Sequence, residues 1–124
     1  MTLSELYCAI DGDYSQALRI LRVDKLIDKH IRRLPTNTLF SSLSEAGRAM
    51  DASSIFENAH ALKGVCSNLG LVKLAGLASQ VCDEFRPGNP RTMTDEEVAA
   101  RLKDIDALYR KACEGIGEYE KSNQ

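Results

Sequence analysis

The sequence predicts an all-α protein, an antiparallel up-down four-helix bundle with additional short N-terminal helices. Three observations predict it. Apolar residues recur at helical spacing in four long segments. No stretch alternates with the period of two expected of a half-buried strand, and Gly-rich hairpin signals are missing. The connections between the four segments are short, which places successive helices side by side and antiparallel.

The flanking part covers about residues 3–22, as two short helical pieces around Leu3–Ile10 and Tyr14–Leu21 on either side of Asp11-Gly12-Asp13. The bundle covers about residues 23–120. A helix beginning near Asp24 is ended by Pro35, and Thr36 or Asn37 can cap the next one. Leu39, Leu43, Ala46 and Met50 make the first apolar stripe. Ile55, Ala59, Leu62, Cys66 and Leu69 make the second, behind Asp51 as its N-cap. Gly70 marks a tight break before Leu71, Leu74, Ala75, Ala78, Val81, Cys82 and Phe85. Pro87-Gly88-Asn89-Pro90 is a loop by composition, and Thr94 with Glu97 forms a capping box for the last helix. That helix carries the most regular stripe: Val98, Leu102, Ile105, Tyr109, Ala112, Ile116 and Tyr119. Gly115 and Gly117 predict fraying at its end.

Composition narrows the function. The 124 residues suit one domain over residues 1–124. With 16 Lys and Arg against 18 Asp and Glu, the chain has no strongly basic surface of the kind that holds nucleic-acid phosphates. No apolar run is long enough for a signal peptide or for the roughly 20 residues that span a bilayer, so a cytoplasmic protein with no membrane partner is expected. The four cysteines are scattered singly, so no metal site and no cofactor of the chain's own is expected, and Cys66 and Cys82 read as core. A monomer is the default, because one bundle consumes the apolar stripes. The initial Met and short length favour a free-standing protein over a piece of a larger one.

The informative segment is Asn58-Ala59-His60-Ala61-Leu62-Lys63-Gly64-Val65-Cys66-Ser67-Asn68-Leu69-Gly70. At helical spacing its apolar stripe centres about 140° from His60, so that imidazole points away from the core. Lys63, Gly64 and Ser67 share the outward strip. A glycine inside a helix costs about 0.5–1 kcal/mol relative to alanine. Helical side chains lean toward the N-terminus, so one at position 64 would lie over the imidazole a turn below. Gly64 therefore reads as access to the ring. Histidine side chains are largely neutral and nucleophilic near pH 7, with an ordinary pKa of about 6.5. Phosphorylation would add negative charge there, which the Lys63 ammonium would offset and the Ser67 hydroxyl could support. Each residue alone has a bland reading: surface histidine, solvated lysine, or glycine at a helix contact. Their convergence on one strip fits a phosphoryl-accepting histidine and, by pattern alone, stands about level with the bland readings. Phe56, at the edge of the stripe, is equally a core residue or a hydrophobic docking contact. Lys25, Lys29, His30, Arg32 and Arg33 form a basic patch that reads as a solvated face.

The run from His60 through Lys63, Gly64, Ser67 and Asn68 to Gly70 closely resembles the signature of the histidine-containing phosphotransfer (HPt) domain family: histidine, then Lys at +3, Gly at +4 and Gly at +10. Leu71-Val-Lys-Leu-Ala-Gly-Leu-Ala78 resembles that family's next helix, and Asp13-Tyr14-Ser-Gln-Ala-Leu18 its N-terminal opening. The resemblance implies a four-helix bundle whose His60 takes a phosphoryl group from a receiver-domain aspartate and passes it to another receiver. Lys63 and Gly64 would support it, with Ser67 and Asn68 less directly placed. The partners would be response-regulator receiver domains or a hybrid sensor kinase, and the Mg2+ would be the receiver's. No P-loop, kinase Gly-rich loop or cluster of metal-binding carboxylates is present, so a relay carrier is expected in place of an autokinase. A kinase dimerisation helix would carry Glu after the histidine and a nearby Arg-Thr-Pro run, and His60-Ala61-Leu62-Lys63 has neither. A helical adaptor with an incidental histidine, and a phosphotransfer piece of a hybrid or chemotaxis-type kinase, remain as alternatives.

Overall fold

A computed structural model describes residues Met1–Asn123 and is helical throughout, with no strand among the described residues. The helices are α1 (Leu3–Ala9), α2 (Tyr14–Leu21), α3 (Asp24–Ile31), α4 (Leu39–Ala49), α5 (Ala52–Asn68), α6 (Val72–Glu84) and α7 (Asp95–Ser122), with a 3-10 turn at Leu34–Thr36 between α3 and α4. The four long ones, α4 to α7, are those the apolar spacing marks. In the bundle α5 packs against α4 and α6, and α7 packs against the same two helices from the other side. This puts α5 and α7 on opposite corners. Of the small helices, α1 rests on α7 and α2 on α5.

The predicted stripes supply the core. Ile55, Ala59, Leu62 and Cys66 of α5 are fully buried, as are Ala78 and Cys82 of α6 and Ile116 of α7. Each large aliphatic side chain so buried contributes about 1.5–3 kcal/mol of transfer free energy. Leu6, Tyr7, Ile27 and Ile31 join the same cluster. The N-terminal helices therefore share the bundle's core.

The sequence's end signals act at several boundaries. Asp51 accepts from the Ser54 amide at 3.2 Å and opens α5. Thr94 and Glu97 close their reciprocal capping box on α7. Thr2 and Glu5 make a second box on α1 that the sequence analysis did not single out. Neither Thr36 nor Asn37 caps α4: the N-cap is Thr38, whose side chain makes no cap bond, and Asn37 just before it accepts from the Leu39 amide at 2.8 Å through Oδ1.

Other expectations about helix ends fail. The helix from Asp24 stops at Ile31, short of Pro35, which lies inside the 3-10 turn that follows. The end of α7 does not fray at Gly115 and Gly117; the helix continues through Ser122. Gly115 is buried against α1, and a Cβ there would press into the Ile10 side chain. The loss of helix propensity at that position is offset by the close approach of α1, whose packing holds the last turns.

Gly70 is needed for its backbone. With φ +68 it turns the chain between α5 and α6, and a Cβ would collide with the Asp13 carbonyl. Its own carbonyl accepts from the Asp13 amide at 2.7 Å, and the Gln16 side chain donates to the Ser67 carbonyl at 3.1 Å. These bonds fasten α2 to the C-terminal end of α5. Beneath them, the buried Tyr7 hydroxyl donates to the Leu69 carbonyl at 2.7 Å.

Candidate functional site

The site is the outward strip of α5 and its seam with α6. His60 lies in mid-helix, beyond the fraying of either end, and its residue is exposed. The ring is held on one edge only. Its Nδ1 faces α6, where the Cys82 Sγ lies 3.9 Å away. Phe56, one turn earlier, packs against the core and also lies face to face with the imidazole at 6.0 Å between ring centres. The Arg86 guanidinium covers Phe56 at 5.6 Å from its ring centre. Phe56 thus packs on the core and stands beside the histidine ring.

Lys63 is half-buried and makes no ion pair among the described residues. Its charge reaches the α6 side of the seam. Arg86, which bonds Asp83 at 2.8 Å, does most to lower the Asp83 carboxyl, and Lys63 adds a smaller pull in the same direction. The Cys82 thiol is pushed up, chiefly by burial; Arg86 and Lys63 oppose that shift. Cys82 is therefore a protonated thiol at neutral pH, a weak hydrogen-bonding partner and not a reactive thiolate.

Gly64 is exposed one turn after His60, and a Cβ placed there would meet nothing within 4 Å. The glycine therefore has no steric reason within the protein itself. Gly76 and Gly117 are likewise helical glycines with open space beside them, so Gly64 gains its meaning from the imidazole one turn away.

Ser67 and Asn68 lie farther off. Seven residues of helix put Ser67 about 10 Å along the axis from His60. What Ser67 contributes in the structure is its backbone carbonyl, to Gln16. Asn68 is exposed and borders a groove lined also by Val65. The strip thus brings together His60, Lys63, Gly64 and Phe56, and leaves Ser67 and Asn68 two turns away.

Sequence reasoning missed Cys82 and Arg86 as members of this site. Cys82 lies on an apolar stripe, which correctly marks it as buried; its contact with His60 crosses between helices, and no spacing within one segment signals it. Among the described residues no group of three or more His, Cys, Asp and Glu comes together as ion ligands, and no helix is long and apolar enough to cross a membrane.

A family model described as Hpt domain matches residues 28–111, well over half of the chain, and spans α4, α5, α6, the second half of α3 and most of α7. No curated protein and no solved structure matches it. With an all-helical bundle, an exposed histidine in mid-helix and that match, the chain belongs to the Hpt domain family, the histidine phosphotransfer carriers of two-component phosphorelays.

Proposed function

We propose that the whole chain acts as one phosphorelay carrier that holds the phosphoryl group on Nε2 of His60. The observation that carries this reading is an exposed imidazole whose one hydrogen-bond contact among the described residues is through Nδ1, beside a helical glycine where a Cβ would meet nothing within 4 Å.

The chemistry follows from the ring. For Nε2 to attack, its lone pair must be free, so the neutral imidazole carries its proton on Nδ1 and donates it toward the Cys82 sulfur. Nε2 attacks the phosphorus of a receiver's aspartyl phosphate. The N–P bond forms as the P–O bond to the carboxylate breaks, and the aspartate leaves as carboxylate. Transfer to a second receiver reverses these steps. Such reactions depend on in-line positioning and on charge stabilisation over the equatorial oxygens. This chain supplies a nucleophile on a rigid helix and the Lys63 ammonium near it. The receiver supplies the Mg2+ and most of the remaining charge. Gly64 leaves room for the receiver's active-site loops to reach the ring.

The test is transfer from a receiver domain labelled with acetyl phosphate. Label should move to the protein in an acid-labile, base-stable form and should not appear with His60→Gln. A protein that binds receivers equally well before and after His60→Gln, and never takes up label, would be an adaptor, and the carrier reading would fall.

A further inference from the structure

Helices α2 and α3 meet at an elbow whose residues serve the fold poorly. Val23 occupies the N-cap of α3, a position that favours Ser, Thr, Asp or Asn, and it makes no side-chain cap bond. Arg22 before it has φ +75, a backbone conformation suited to glycine. A cation and a valine thus stand where the backbone asks for a glycine and a short polar residue. Both belong to an unbroken run of exposed residues from Arg22 to Leu26. Where a sequence breaks local rules at two successive exposed positions, the surface they make is the reason to look for.

That surface is apolar at its tip and basic around it. Ile20, Val23 and Leu26 are three of the four large hydrophobic residues exposed among the described residues. Scattered singly such residues need no explanation, but three within seven positions of one elbow make a patch. Arg19, Arg22, Lys25 and Lys29 stand exposed among them, and none makes an ion pair among the described residues. The two acids of the stretch are engaged elsewhere. Asp24 accepts from the Tyr14 hydroxyl, and Asp28 accepts from Arg32 at 2.9 Å and from Tyr119 at 2.6 Å. Residues 19–29 therefore carry four Lys and Arg against two Asp in a chain of net charge −2, a positive elbow on an acidic remainder.

Charge and shape together name the partner. Four uncommitted cations call for an anionic surface. Protein seats are anchored by Tyr, Trp and Arg in pockets, with Leu and Val under-represented. The apolar residues here are all aliphatic and sit on an exposed turn. A bilayer accepts such side chains at headgroup depth, about 5–10 Å, while flexible Lys and Arg stay level with the lipid phosphates. The lack of a helix long and apolar enough to cross a membrane has no bearing on binding at its surface. We propose that the α2–α3 elbow docks the chain on an anionic membrane surface, with Ile20, Val23 and Leu26 among the headgroups and the four cations against lipid phosphates. Residues 19–27 lie outside the matched residues 28–111, so the elbow is an addition to the shared family core. Such docking does not depend on the role of His60.

The test sediments the full chain with vesicles of equal parts phosphatidylcholine and phosphatidylglycerol, and with phosphatidylcholine alone. The anionic vesicles should bind it at least about tenfold more tightly. That advantage should shrink as salt rises from about 0.1 M to about 1 M and the screening length falls from about 10 Å to about 3 Å. Arg22→Gly should raise the melting temperature, by relieving the backbone, and yet weaken binding about fivefold, the worth of one charge near such a surface. Lys103→Gln on α7 should leave binding alone. The chain has no Trp, so Val23→Trp gives a single reporter whose emission should move to the blue on anionic vesicles. No binding of the unaltered protein to anionic vesicles overturns the proposal. So does binding with the Val23→Trp emission unmoved and Arg22→Gly without effect, which would place another face on the lipid. A dimer dissolved by Val23→Asp, without vesicle binding, would give the elbow to a second copy of the chain and overturn it as well.

Discussion

Three helical glycines allow access to the imidazole to be separated from helix stability. A Cβ at Gly64, Gly76 or Gly117 would meet nothing within 4 Å. All three lie inside α-helices, in α5, α6 and α7 respectively. Alanine at each should therefore gain the helix-propensity difference and lose nothing by collision, about 0.8–1 kcal/mol of stability. For a chain of this size that is roughly 3–5 °C in Tm. Transfer should divide them. Gly76→Ala and Gly117→Ala should pass phosphoryl groups at the wild-type rate. Gly64→Ala should stabilise equally but transfer more slowly, and Gly64→Leu, whose side chain leans back over the ring, should slow it by about a hundredfold. Displacements of about 1 Å at a reacting centre have that consequence. Thermal unfolding by circular dichroism and rapid-quench transfer from a labelled receiver measure the two quantities on the same variants. If Gly64→Leu folds normally and transfers at the wild-type rate, the account of this glycine as an opening for the partner is wrong.

Further outcomes follow from contacts around the site. Cys82→Ala should lower transfer by about two- to fivefold, the worth of one weak hydrogen bond, and NMR of the ring nitrogens should show the proton redistributed from Nδ1 toward Nε2. Tyr7→Phe should cost about 1–3 kcal/mol in a urea titration, because the Leu69 carbonyl loses its buried donor. In alkali, burial raises the Cys66 thiol to about 12, and both burial and hydrogen bonding raise the Tyr119 hydroxyl. Groups raised on folding stabilise fully below their ordinary values near 9 and 10, so denaturant midpoints should fall as the pH climbs past them. In acid the sign reverses. The Met93 and Thr92 amides hold the Glu84 carboxyl below its ordinary value, and the Tyr119 hydroxyl, with help from Arg32, does the same for Asp28. Their contributions should be present above about pH 4–5 and lost as the pH falls through the lowered values; Glu84→Gln should blunt that loss.

The architecture was legible because its determinants are local. Apolar spacing located α4 to α7, and the outward direction of His60 followed from the angle between it and the Ile55–Leu69 stripe. Gly115 misled for a definite reason: propensity counts the missing Cβ as a weakness, whereas the structure uses it to admit Ile10 from a helix a hundred residues earlier in the chain. Cys82 was seen as core but not as the partner of Nδ1, because a single stripe says which side of α6 is buried and not which residue of α5 it meets. Ser67 was placed on the strip correctly, yet sharing a strip does not mean sharing a reach, and two turns of helix separate it from the ring. The basic residues from Lys25 onward read as a solvated face, because no spacing tells that Ile20, Val23 and Leu26 stay exposed beside them.

The way α5 is fastened explains how an exposed residue can also be a well-positioned one. A nucleophile for phosphoryl transfer must be open to a whole protein domain and still hold its angle. On a loop, openness would bring mobility. Here the helix is fixed at its start by the Asp51 cap, at its end by the bonds from Asp13, Gln16 and Tyr7 to Gly70, Ser67 and Leu69, and along its inner face by the core. The imidazole adds one lateral tether at Cys82 and one stacked neighbour at Phe56. What stays free is rotation-limited and faces solvent. The N-terminal helices, which share the bundle's core, then have a mechanical role as well: they hold the C-terminal end of the histidine's helix in place while a partner presses on its outer face. Weakening that hold, as Tyr7→Phe does two helical turns and more from the ring, should therefore reduce transfer as well as stability, and by a larger factor at temperatures near the melting transition than well below it.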